Sequence, residues 1–186
     1  TSKIASLDDL ECVATMGFRG EALPSIASVS RLDLASRHKA EEHGWSVRVR
    51  RGEVGEPQPD PVQAGTRVSV EDLFYNVPAR RKFLRAPETE LRHAQESLWG
   101  AALARPDVAF VLRHGNRTLI DAPVVADASL RLKDLWRRAG RVIRFEARGA
   151  GGEVQGMLAP GGGRGRASLT LLVNGRAVRD RLLVGA

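Results

Sequence analysis

The chain has 186 residues, 42% hydrophobic and 27% charged, the balance of an ordinary soluble globular protein with ample sequence for a buried core. A single cysteine excludes a disulfide framework and fits a reducing cytoplasm, and no apolar run approaches a membrane span. The net charge of +7, carried by 25 arginines and 4 lysines against 22 acidic residues, suggests anionic partners such as nucleotides, nucleic acid or acidic membrane. The arginines are scattered rather than packed in one block, so a compositional preference for arginine competes with that reading. No signal-peptide pattern leads the sequence.

Thr1-Ser2-Lys3 offers two hydroxyls and a cation. It reads either as a polar edge for a nucleotide or as a loop before a helix, because Ser6 precedes Leu7-Asp8-Asp9-Leu10-Glu11 in a capping pattern. Gly17-Phe18-Arg19-Gly20 then leads into a helical pattern over residues 21–30, with Leu23, Ile26, Ala27 and Ser30 on one face. Pro24 has no amide hydrogen and fits only a first turn, so the helix begins near Gly20. The N–H groups from about Arg19 to Leu23 have no partner within such a helix. Together with the positive end of the dipole and one arginine they form a seat for an anion, most naturally a phosphate. A plain turn and cap is the competing reading.

Strict alternation of apolar and polar residues marks three strands, 31–36, 45–50 and 66–71, separated by a polar turn over 38–44 and a proline-rich loop over 57–63. They form a sheet with one buried face, on which the helix over 21–30 is expected to pack. Gly65-Thr66 opens the third strand. Phe74 to Arg81 then turns the chain into a helix starting near Pro78. Arg80, Arg81, Lys82 and Arg85 make either a phosphate-facing patch or a solvated face with Phe83 and Leu84 buried. A long helix fills 88–105, with Leu91, Ala94, Leu98, Ala101 and Ala102 at helical spacing, and Arg105-Pro106 ends it. The domain boundary is expected after this helix, separating residues 1–105 from 106–186.

The second unit opens with a hairpin, 108–113 and 118–120, around His114-Gly115-Asn116. A helix over 129–139 follows, with Leu130, Leu132, Leu135 and Trp136 as its apolar face. Strands are expected at 142–147, 153–158 and 168–173. The glycine-rich stretches 149–152 and 161–165 are turns, the second an exposed tip bearing Arg164 and Arg166. Val173 to Asp180 reads as a strand, a tight Asn174-Gly175 turn and a helix start. The fold class is α+β.

The wording of four segments is more specific than their spacing. GFRGEALPSIASV over residues 17–29 closely resembles the third ATP-binding motif of the MutL family of DNA mismatch repair ATPases. That family belongs to the GHKL superfamily, with gyrase-type topoisomerases, the heat-shock chaperone ATPase and sensor histidine kinases. Thr1-Ser2-Lys3-Ile4, GTRVSVEDLFYNVPARRKFL over 65–84 and VNGRAVRD over 173–180 match the same family in the same order. The resemblance spans the whole chain, with a divergent middle from about residue 106 to 166.

The resemblance implies an α/β sandwich, the C-terminal part of a GHKL (Bergerat-type) ATPase domain followed by most of a second, smaller α/β transducer or DNA-binding domain. It implies that Thr1 and Ser2 lie in a flexible lid at the nucleotide pocket. By the same carry-over, Gly17, Phe18, Arg19, Gly20, Glu21, Ala22 and Leu23 hold phosphates, and the Thr66 hydroxyl lies near adenine. VNGRAVRD is placed beside a positively charged saddle for duplex DNA. Arg176 and Arg179 are its expected phosphate contacts, giving an affinity that falls steeply with salt.

In this superfamily a glutamate base activates water, an asparagine holds Mg²⁺ and an Asp-x-Gly segment grips adenine. In MutL all three precede Thr-Ser-Lys, and a lysine that reaches the γ-phosphate would follow Ala186. Glu21 is structural in its motif and is not the base. The chain, beginning at threonine and stopping within RDRLLVGA, is therefore expected to be a piece of a longer protein. The parent is expected to hydrolyse ATP with Mg²⁺, and this piece, with no catalytic residue or metal ligand of its own, is not. Its apolar sheet face and strand edge would be left open.

The implied cycle is that of a clamp. ATP orders the lids, the lids pair a homodimer around duplex DNA, and hydrolysis releases it. A mismatch-recognition protein and other repair factors are the further partners, in a bacterial cytoplasm and on the nucleoid when DNA is bound. Two alternatives remain. Another GHKL ATPase, such as a topoisomerase subunit, has a more glycine-rich phosphate loop and leaves VNGRAVRD and LFYNVPARRKFL unexplained. A non-enzymatic DNA-binding module would bind DNA without nucleotide dependence. A P-loop enzyme is excluded, because no GxxxxGK[ST] occurs.

Overall fold

The computed structural model describes residues 20–135, 143–149, 152–158, 171–173 and 176–178. Thr1, Ser2, Gly17, Phe18, Arg19 and Arg179 lie outside the described residues, as do Trp136, Arg164 and Arg166. Packing divides the chain into two units, with the division at Ala86 and Pro87.

The first unit starts with helix α1, Ala22–Ala27. It is shorter than its apolar pattern suggests because serines compete for its last carbonyls. Ser28 Oγ donates to the Ser25 carbonyl at 2.9 Å and Ser30 Oγ to that of Ile26 at 2.7 Å. The strands are β1 (Arg31–Arg37), β2 (Gly44–Arg50), β3 (Glu53–Val54), β4 (Gln58–Asp60) and β5 (Gly65–Glu71). All pair antiparallel: β1 lies between β2 and β5, and β3 and β4 both line the far edge of β2.

The register sorts the side chains by face. Leu32 opposes Val49 and Val70, Leu34 opposes Val47 and Val68, and Ser36 opposes Trp45 and Thr66. These nine residues share one face, and Ala27 of α1 packs there on Leu32 and Val49. Cover is partial: Leu34 and Val47 are half-buried against this cluster, while Trp45, Val68 and Val70 stay 55%, 43% and 44% exposed. The opposite face is polar. There Arg50 lies 2.8 Å from Asp33, and its guanidinium holds the Asp33 carboxyl below the usual carboxylate range.

A single-turn helix, α2 (Pro78–Arg81), follows with proline in its first turn. Phe83 and Leu84, expected to be buried, are 83% and 41% exposed. The helix ends at Arg81, before either residue.

In the second unit, helix α3 (Pro87–Ala104) packs on the hairpin of β6 (Phe110–His114) and β7 (Arg117–Ala122). Ala102, Ile120 and Ala122 form the buried centre, with Leu98, Trp99, Phe110 and Leu112 around it. The expected domain boundary falls after this helix, whereas its buried face groups it with the strands that follow. Helix α4, Ala128–Leu135, begins where the Asp127 carboxylate accepts a hydrogen bond from the Ser129 amide at 2.7 Å.

The face of α4 differs from the expected one. Leu130 is 41% exposed, while Ser129 and Arg131 are buried. Two further hairpins pair β8 (Ile143–Gly149) with β9 (Gly152–Leu158), and β10 (Leu171–Val173) with β11 (Arg176–Val178). In the last hairpin Val173 pairs with Arg176, so the chain continues as a strand where a helix start was expected. Two residues between paired partners are hairpin spacing, and Asn-Gly is the strongest sequence signal for that turn.

Candidate functional site

Of the residues singled out in the sequence, Thr66 lies on the apolar face of the first sheet. The face is three cross-strand rows deep. Row one, Leu32 with Val49 and Val70, lies at the α1 end. Row three, Ser36 with Trp45 and Thr66, lies four residues further along β1, about 13 Å away at strand rise. Between them Leu34, Val47 and Val68 make an apolar floor. The exposed part of the face is thus a flat hydrophobic surface ending in two hydroxyls, the kind of surface on which a planar ring with a polar edge can lie.

Thr66 Oγ1 is 2.8 Å from Ser36 Oγ, and Ser36 Oγ also reaches the Gly65 carbonyl at 3.3 Å. Thr66 was singled out by sequence resemblance. Ser36 was not, because the two lie 30 residues apart and only the β1–β5 register makes them neighbours.

Gly20, Glu21, Ala22 and Leu23 are all exposed at the start of α1. The Ser25 amide bonds the Glu21 carbonyl at 3.0 Å, so the amides of Ala22 and Leu23 stand ahead of the helical ladder. The other end of α1 is strapped by the Asp72-Leu73-Phe74-Tyr75-Asn76 turn. The Phe74 amide bonds the Val29 carbonyl at 2.6 Å, and Asn76 Nδ2 bonds that of Ser28 at 2.8 Å. Arg31 joins the strap through Asp72 at 3.3 Å and the Tyr75 ring at 5.4 Å. Asp72 and Phe74 hold φ of 51° and 64°, a left-handed backbone that costs a bulky residue on the order of 1–3 kcal/mol and persists where surrounding contacts impose it. The strap fixes where α1 ends.

Arg80, Arg81, Lys82 and Arg85, read as either a phosphate-facing patch or a solvated face, are exposed on and just after α2. Arg176 lies in β11, and Arg179 is outside the described residues. A cleft of about 310 Å³ opens on the polar face of the sheet, between Asp33, Ser46, Arg48, Asp60, Arg67 and Ser69. Arg67 and Ser69 of the 65–84 segment line it, but none of the residues expected to touch nucleotide or DNA does. Among the described residues, no group of three or more His, Cys, Asp or Glu is placed to hold a metal ion, and no helix is long and apolar enough to cross a membrane.

No protein-family model matches the chain. The DNA mismatch repair protein MutL of Xanthomonas campestris pv. campestris (strain B100) is 50% identical to it, over 100% of this chain and 31% of that protein. The MutL of Xylella fastidiosa (strain 9a5c) is 48% identical, again over 100% of this chain and 31% of the relative. The chain thus spans about a third of the length of the curated relatives it matches. Among solved structures, the Aquifex aeolicus MutL ATPase domain complexed with ADP is similar at a TM-score of 0.74 and 28% identity, covering 96% of this chain and 68% of that one. The ATPase domain of the Aquifex aeolicus mismatch repair endonuclease MutL is similar at 0.72 and 26%, covering 97% of this chain and 66% of that one. Identity near one half along the entire sequence, on the fold of MutL ATPase domains, means that this chain belongs to the MutL family of DNA mismatch repair proteins.

Proposed function

We propose that this chain supplies part of the ATP site and part of the DNA-binding surface of a mismatch repair ATPase. The observation that carries the reading is the likeness, over nearly the whole chain, to a MutL ATPase domain complexed with ADP. The open face with a hydroxyl edge fits a nucleobase, and the exposed start of α1 fits an anion. In this reading residues 1–105 contribute the lid, phosphate motif and closing strands of the ATPase domain, ending in α3 as the helix that packs on the following hairpin, and residues 106–186 belong to the DNA-binding domain.

Each residue then has a role. The amides near Gly20 to Leu23, with Gly17, Phe18, Arg19 and Glu21 of the same motif, hold phosphate oxygens. Thr66 meets the base, Thr1 and Ser2 close over the nucleotide, and Arg176 and Arg179 touch DNA phosphates. Mg²⁺-ATP, when bound, supplies the phosphoanhydride whose hydrolysis drives the cycle. The glutamate base, the Mg²⁺ ligand and the γ-phosphate lysine belong to parts of the relatives that this chain does not match, so the whole protein hydrolyses ATP and the chain by itself does not. ATP-ordered lids pair two protomers into a clamp on duplex DNA, in concert with a mismatch-recognition protein.

The test is equilibrium binding of a non-hydrolysable ATP analogue with Mg²⁺ to the full protein that contains this chain. Arg19→Ala and Thr66→Ala are each expected to weaken it about tenfold. Salt-sensitive DNA binding by a full protein that ignores nucleotide would sink this reading in favour of a DNA-binding module.

A further inference from the structure

We infer that Ser36 makes Thr66 selective for a purine that carries an amino group at its six position. The inference rests on the nucleotide reading given above and adds to it a positioning residue that no motif marks.

A hydroxyl has one proton and two lone pairs. Ser36 Oγ has two neighbours, the Gly65 carbonyl oxygen at 3.3 Å and Thr66 Oγ1 at 2.8 Å. A carbonyl oxygen only accepts, so its bond uses the Ser36 proton. The shorter bond must then take its proton from Thr66. The result is a chain in which Thr66 donates to Ser36 and Ser36 donates to the Gly65 carbonyl, each bond polarising the next.

The consequence lies on the outward side of Thr66. With its proton committed inward, Thr66 turns only lone pairs towards the open apolar face. Lone pairs accept from an N–H and repel another acceptor. Adenine presents an amino donor at its six position, where guanine and hypoxanthine present an oxygen. Ser36 thus acts through Thr66 and touches no ligand itself. The register supports the arrangement: Ser36 sits in the middle strand with Trp45 opposite on one side and Thr66 on the other. Without the Ser36 oxygen the Thr66 hydroxyl is free to rotate, and it can donate to a six-oxo purine as readily as it accepts from a six-amino one.

The experiment compares Kd for Mg²⁺-ATP and Mg²⁺-ITP, which differ at that one substituent, in the full protein that contains this chain. Ser36→Ala is expected to reduce the ATP-over-ITP preference about tenfold, chiefly by tightening ITP. Ser36→Thr, which restores a hydroxyl on a β-branched residue suited to a strand, is expected to keep the preference. Thr66→Ala is expected to lose it.

An unchanged preference in Ser36→Ala, alongside a lost one in Thr66→Ala, would overturn the role of Ser36 and leave Thr66 at the base. Equal weakening of both nucleotides by Ser36→Ala would also overturn it, as the mark of a merely structural contact. Unaltered ATP binding in Thr66→Ala would remove the base from this face and take the inference with it. Failure of the unmutated protein to bind either nucleotide would overturn the nucleotide reading itself.

Discussion

Arg131 is 2% exposed, and backbone carbonyls ring its guanidinium. Nη1 donates to the carbonyls of Ala102 and Arg105, and Nη2 to those of Pro106, Val108 and Pro123, while the Phe110 ring lies 5.9 Å away. The acceptors at Ala102 and Arg105 lie at the C-terminal end of α3, where the helix dipole is negative and a cation is stabilised. Arg131→Met would fill the space and leave those carbonyls without a donor. We expect a loss of about 3 kcal/mol, read as a lower urea midpoint. Arg131→Lys should recover only part of it, because an ammonium has three donors on one atom and cannot span a planar fan of acceptors. An unchanged midpoint in the Met variant would show that water satisfies the carbonyls.

Among the elements, β2 and the β4 end approach closely at Gly44. A Cβ there would sit 2.5 Å from Val62 Cγ2 and 2.9 Å from the Asp60 carbonyl oxygen. The valine methyl can swing away, but the backbone oxygen is held by the Val62 amide at 2.8 Å. Gly44→Ala is therefore expected to cost about 1–3 kcal/mol, measured by thermal unfolding, with loss of amide protection along β4. Pairing of β1 with β5 should be untouched.

This sheet was also the most legible part of the sequence. Its three long strands alternate because one face is apolar and the other wet, so period two gives their extents and faces. The short edge strands β3 and β4 carry too few residues to show a period, and β4 lies within the stretch read as a proline-rich loop. The short elements were harder to read. Phe83 and Leu84 look like core by composition, yet the helix expected to carry them ends at Arg81 and leaves them just past its end. On α4 the apolar pattern pointed to Leu130, whereas the buried side chain is the neighbouring arginine, whose reason for burial is carbonyls contributed by residues 102–123. VNGRAVRD showed its Asn174-Gly175 turn plainly, but the three residues of β11 are too few to tell a strand from a helix start by period. At the candidate site Thr66 was legible only as wording shared with a family, whereas the start of α1 could also be read from Pro24 and the amides ahead of it. Ser36 needed a register, and no single segment contains one.

For the whole molecule, acid is the expected weakness. The Asp33 carboxyl is held below its usual range by Arg50, that of Asp107 by Arg105 at 2.7 Å, and that of Asp127 by Ser129. In each case the folded pKa is the lower one. The stability contributed is fully present above the ordinary carboxylate value of about 3.9 and is lost as pH falls through the folded value. Denaturation midpoints should stay level from neutrality to about pH 4 and fall below it, where the net charge also becomes more positive. A decline centred near neutrality would assign the pH dependence to other groups.

The carbonyl cage around Arg131 bears on how the second unit comes apart. Its five acceptors come from the end of α3, the segment leading into β6 and the segment after β7, while the donor sits on α4. Peeling any one of these away strands a cation in a medium too apolar to solvate it, or admits water to the centre of the packing. Partial opening is therefore penalised more than its contact area alone would suggest. The helix pair and hairpin are thus expected to open as one block, with amide exchange across α3, α4, β6 and β7 converging on a single opening free energy that splits apart in Arg131→Met.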